Sequence, residues 1–103
     1  MKRYLEHHEL QALFFRAYFL YGKVKYGSSG YSDKRLGAMT AYKSIMQLYR
    51  PFVVLEHRVR TDAVMERFDY LESKAKALRD DGFKRAFLKT LKREDPRRRL
   101  PES

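Results

Sequence analysis

Cysteine is absent from the sequence. That excludes a disulfide scaffold, a thiolate zinc site and a cysteine nucleophile, and it fits a reducing compartment. Proline is scarce, occurring only at positions 51, 96 and 101. Of the five glycines, Gly22, Gly27, Gly30 and Gly82 fall at apparent boundaries, whereas Gly37 does not. Helix breakers are therefore few and the segments between them long. No long hydrophobic run is present: the most apolar stretch, Leu10 to Tyr21, is interrupted by Gln11 and Arg16. Its uninterrupted part is about half of the roughly 20 apolar residues a membrane span needs. The polar opening, Met1 to Glu9, does not read as a signal peptide. A cytoplasmic protein without a membrane partner is expected, nucleoid- or RNA-associated if its partner is nucleic acid.

Acidic residues are also in short supply. Thirteen face 23 lysines and arginines, leaving a net charge of +10. Solubility alone suggests a magnitude of about 2–8 for a small domain, so an anionic partner is expected. The charge is uneven. Residues 1–32 carry +3, 33–60 carry +4, 61–82 carry −2 and 83–103 carry +5. The basic end can form an anion-binding surface or fold back on the acidic segment, and the cations outnumber what that segment can pair.

The fold expected is all-α: a small helical bundle of about four helices, with a Gly/Ser turn after the first and a basic, disordered C-terminal tail. A length of 103 residues suits one core. A single domain over 1–94 and a proline-containing tail over 95–103 follow from the pattern. The first helix is placed at about Tyr4 to Tyr21, ended by Gly22 as a left-handed cap. Its second half is apolar on all sides except for Arg16, so it is either central to the domain or part of an oligomer interface. Residues 23–32 allow a short hairpin or a loop.

A second helix begins near Ser32 or Asp33. Ala38, Ala41, Ile45, Leu48, Phe52, Leu55 and Val59 follow at alternating spacings of 3 and 4, a heptad-like seam. The seam passes through Pro51 without losing phase, which indicates one kinked helix or two collinear ones. A strand over residues 52–55 is the alternative. Thr61 and Asp62 read as the cap of a third helix, with Val64, Phe68, Leu71, Ala75 and Leu78 inward and Asp62, Glu66 and Asp69 outward. Glu72 and Lys76 form an i,i+4 pair. A fourth helix spans about Phe83 to Arg93, its apolar face being Phe83, Ala86, Phe87, Thr90 and Leu91.

No catalytic motif is found. Gly-x-Ser-x-Gly and the phosphate-binding loop are missing, so an enzyme is not expected, nor a cofactor. His7 and His8 are adjacent and diverge by about 100° on a helix. They cannot share a metal, and His57 lies far away. Zinc-finger spacing and the aromatic ribonucleoprotein signature are absent. Leu48-Tyr49-Arg50 resembles the tripeptide signature of the mitochondrial LYR family, but in that family it lies near the start of the first helix. Here it is expected to close a helix before Pro51, so it carries no assignment.

Two functions suit this chemistry. The first is nucleic-acid binding, to DNA or RNA, through the phosphate backbone with little sequence specificity. The candidate contacts are Lys84, Arg85, Lys89, Lys92, Arg93, Arg97, Arg98 and Arg99, with Lys23, Lys25, Lys34 and Arg35 as a second patch. Gly27-Ser28-Ser29-Gly30 allows a phosphate cradle or a plain turn, and Tyr26 and Tyr31 allow base stacking or packing against helix ends. The second function is a protein-interaction module docking on an acidic protein surface. A homodimer is expected in either case, with Phe15 and Phe19 in its interface, because one small domain must cover an excess of apolar surface.

Overall fold

The computed structural model describes residues 4–27, 32–54, 58–95 and 97. It is a four-helix globule, as the periodicity predicts. A two-residue strand, β1 (Tyr4–Leu5), leads into helix α1 (His7–Gly27). Helix α2 (Asp33–Val54) follows, then strand β2 (Val59–Arg60), helix α3 (Thr61–Lys76) and helix α4 (Asp81–Arg93). The strands pair antiparallel, Tyr4 opposite Arg60 and Leu5 opposite Val59. Nothing in the periodicity signals this ladder; it ties the start of the chain to the α2–α3 connection and buries Leu5 completely.

Local chemistry sets the boundaries. The Glu6 N–H donates to the Glu9 carboxylate at 2.9 Å, and Glu6 O accepts from Glu9 N–H and Leu10 N–H. This is half of a capping box, with the side chain three residues in reaching back to satisfy the entry. The helix starts later than expected and runs further. Gly22 does not cap it; Gly22 lies inside α1, and Val24 and Tyr26 are helical rather than in a hairpin. A single glycine costs a helix about 1 kcal/mol, and the inward contacts of Leu20, Tyr21 and Val24 with the core outweigh that.

Ser32 rather than Asp33 caps α2, its hydroxyl accepting from Arg35 N–H at 3.2 Å. Pro51 lies inside α2, which continues to Val54. Residues 52–54 are thus helical, not a strand, and the helix does not close at Arg50. Thr61 is the first residue of α3, and the residue before it, Arg60, makes no side-chain cap bond. Asp62 instead takes a hydrogen bond from Ala63 N–H and an ion pair from Arg60. That guanidinium holds its carboxyl below the usual carboxylate range. At α4 the cap is Asp80, whose side chain accepts from Phe83 N–H at 3.0 Å.

The central helix is α2, which packs against both α1 and α4. Leu10 and Ala17 of α1, Ala41, Tyr42, Ile45 and Tyr49 of α2, Val64 and Phe68 of α3, and Phe87 and Leu91 of α4 form one core. Gly37 explains itself here. A Cβ at this position would stand 2.5 Å from the Phe83 carbonyl and 2.8 Å from the Ala86 Cβ. Glycine therefore lets α2 and α4 touch backbone to backbone.

Candidate nucleic-acid interface

The inward face of α4 is the one expected: Ala86, Phe87, Thr90 and Leu91 are buried and Phe83 is half-buried. At 3.6 residues per turn, Arg85, Lys89 and Lys92 then fall together on the opposite face. All three are exposed. Lys84 is half-buried at its margin. Asp80 and Asp81 stand at the N-terminal end of α4 and Lys92 and Arg93 in its last turn, an order that complements the helix dipole. Among the described residues no ion pair engages Arg85, Lys89 or Lys92.

The remaining candidates are less free. Arg93 donates to the Tyr42 hydroxyl at 3.4 Å. Arg97 sits between two carboxylates, 2.9 Å from Asp69 of α3 and 2.5 Å from Asp95. The hydrogen bonds it donates to these acids push its pKa further up. Its charge thus folds back on the acidic helix, the second of the two arrangements open to the basic end. Arg98 and Arg99 lie outside the described residues.

The second patch does assemble, at the corner where the end of α1 meets the start of α2. Lys23, Tyr26 and Lys34 are exposed and Lys25 is half-buried. Arg35, however, is turned inward as a cap. Its guanidinium donates to the carbonyls of Val24, at 3.3 Å, and Lys25, satisfying acceptors that the last turn of α1 leaves unpaired. Lys25 lies over the rings of Tyr21 and Tyr26 at 5.9 and 5.2 Å. Tyr26 does not tuck against a helix end. Tyr31, and the turn residues 28–30 that could cradle a phosphate, lie outside the described residues.

The outer face of α1 departs most from expectation. Phe15 is 51% exposed, Tyr18 59%, Phe19 63% and Tyr26 80%. A place at the centre of the domain is thereby excluded for α1. Arg16, the one charge in the apolar half, leaves this face to hold Glu94 at the end of α4. Its Nε and Nη2 donate to the two carboxylate oxygens at 2.7 and 3.1 Å. Glu94 is only 5% exposed. The pair locks α1 to α4, and the Glu94 hydrogen bond raises the Arg16 pKa.

Sequence reasoning missed this ion pair because no local signal links residues 78 apart. It also passed over Tyr42 and Tyr49 as core residues. Their spacing of seven, in phase with Ala38 and Ile45, was the available signal. Among the described residues no group of three histidines or carboxylates could hold a metal ion, and no helix is long and apolar enough to cross a membrane. The chain matches no family model, no curated protein and no solved structure.

Proposed function

We propose that this chain is a small, non-enzymatic nucleic-acid-binding protein that grips the phosphate backbone. The observation that carries the proposal is the exposed row Arg85, Lys89 and Lys92 on α4, with no acidic partner among the described residues. The i, i+4, i+7 spacing puts three cations along about 10 Å of helix axis, a straight row that can follow a run of phosphates. Lys23, Lys25 and Lys34 form a second, smaller contact. Lysine and arginine on a rigid helix recognise charge and spacing rather than base identity, so little sequence preference is expected. The proposal includes a homodimer, which doubles the basic surface and strengthens binding to a long polyanion through effective concentration.

Binding to unrelated duplex DNA and to RNA, titrated with salt, tests this. Affinity should fall by roughly one log unit per log unit of salt for each phosphate neutralised. The triple variant Arg85→Gln, Lys89→Gln, Lys92→Gln should lower that slope by about three and leave the helical circular dichroism unchanged. No binding at about 50 mM salt, where phosphate contacts are strong, or a slope the triple variant does not alter, defeats the proposal. Recovery of one acidic protein from the source cell despite nuclease treatment, with no nucleic-acid binding, would support the interaction-module reading instead.

A further inference from the structure

We infer that the outer face of α1 is a self-docking surface on which a second copy of this chain packs antiparallel. The inference rests on the homodimer proposed above but not on its nucleic-acid partner. Phe15, Tyr18, Phe19 and Tyr26 fall within a sector of about 100°, opposite the buried Leu10 and Ala17. From their exposures, these four aromatics offer about 500 Å² to solvent on ordinary aromatic side-chain areas. A specific dimer needs at least about 600 Å² per partner. The aromatics thus supply most of an interface before their neighbours are counted.

Charge selects the occupant. The chain as a whole carries +10, yet from His8 to Gly22 this sector holds no Lys, Arg, Asp or Glu. Arg16, at its margin, is turned onto Glu94. A polyanion or an acidic protein is drawn to the cationic faces, whereas two +10 chains can approach each other only where charge is lacking.

The pattern of the face selects the direction. His8, Phe15, Phe19 and Tyr26 are spaced 7, 4 and 7, a sequence that reads the same from either end about residue 17. Under a two-fold axis at that level, Phe15 meets Phe19 of the other copy and Tyr26 meets His8. Such a patch is its own complement, as an isologous interface requires. Lys23, which lies over the Phe19 ring at 5.7 Å, then falls beside Ala12 of the other copy.

Light scattering on the full chain at micromolar concentration, without nucleic acid, is expected to give twice 12.4 kDa. Phe19→Asp should halve that mass with its helical spectrum retained, because Phe19 is largely exposed in one protomer. The direction is read by cross-linking, for which the natural chain offers no competing thiol. A mixture of Ala12→Cys and Lys23→Cys proteins should oxidise to the mixed disulfide. A dimer that forms only like-with-like disulfides, or one that Phe19→Asp leaves intact, overturns the antiparallel α1 interface and leaves the homodimer standing. A monomeric natural chain overturns both. A monomer that instead sediments with phosphatidylserine vesicles, and fails to as Phe19→Asp, would give the face to a membrane surface and overturn the proposal. The salt titration repeated on Phe19→Gln, which adds no charge beside Lys23 and leaves the α4 cations untouched, keeps the nucleic-acid reading a separate question.

Discussion

Tyr49 is the residue whose chemistry fits its place least. Its ring is buried in the core beside Phe68, at 6.4 Å between centroids, and its hydroxyl has no hydrogen-bond partner among the described residues. Removing an unpaired buried hydroxyl forfeits no bond, so Tyr49→Phe should be neutral or stabilising by up to about 1 kcal/mol at neutral pH. Burial pushes the Tyr49 phenol well above its ordinary value, reinforced by the negative charges of Asp95 and Glu94. Burial raises Tyr42 as well, though Arg93 opposes it. A raised pKa means that the protonated form is favoured in the folded state. The stability this confers is whole below the ordinary tyrosine pKa of about 10 and drains away as pH rises further. Melting temperature followed from pH 9 upward, together with tyrosinate absorbance, should show an alkaline loss that Tyr49→Phe lessens.

The Arg16–Glu94 pair poses the opposite case. Truncating Arg16 to Ala leaves a buried carboxylate without its guanidinium. Because Arg16 itself is partly exposed, water can offset some of that loss, and a cost of about 1–3 kcal/mol is expected. Glu94→Gln removes the charge but keeps an acceptor, and should cost less. Urea unfolding of the two variants side by side measures the difference. A larger loss for Glu94→Gln would show that the charge on Glu94, rather than its contact with Arg16 alone, dominates.

Among the elements, the α2–α4 contact is the most exacting. Gly37→Ala adds a Cβ against the backbone carbonyl of Phe83, a neighbour that cannot rotate away. Overpacking of this kind costs about 1–3 kcal/mol, and the gain in helix propensity, about 1 kcal/mol, offsets only part of it. The net loss should appear as a lowered melting temperature, and a rise would mean that the two helices sit further apart. Pro51 offers the reverse test. It lies inside α2 and is exposed, and it denies the Gln47 carbonyl a helical donor. Pro51→Ala should restore that bond and stabilise the helix by about 1–3 kcal/mol. The continuation of α2 across Pro51 to Val54 was legible in the sequence, because the apolar spacing does not break there; Val59, at the far end of that spacing, lies in β2 instead. The extension of α1 past Gly22 was not legible. It depends on Leu20, Tyr21 and Val24 finding the core and on Arg35 capping the far end, both of which are tertiary contacts.

For the whole molecule, the two outward faces act at different ranges. In the proposed function, the α4 cations attract a polyanion through a field that salt screens over about 10 Å at 0.1 M. The α1 aromatics act only on contact. A homodimer therefore predicts a dependence on nucleic-acid length. On a duplex too short to reach both α4 faces, the natural chain and Phe19→Gln, which adds no charge beside Lys23, should bind alike. On a long duplex the natural chain should gain 10²-fold or more by effective concentration, on the order expected for linked sites. Equal affinities on both lengths would show that the two basic faces do not act together.

What the sequence determined by itself was the helical class, the number of helices, the inward faces of α3 as far as Ala75 and of α4, and the basic face of α4; Leu78, expected inward, lies exposed beyond the end of α3. Each of these rests on spacing along one element or on net charge, and both are local properties. Only the tertiary structure decided that α2 rather than α1 is central, that Arg35 and Arg97 are bound to other parts of the chain, and that Phe15 and Phe19 face outward. Hydrophobicity shows that a side chain is better off out of water. It does not show whether the covering surface comes from the same chain, because that depends on which helices the fold sets around it. Of α1's two apolar sides, α2 covers one, and the fold leaves the other bare.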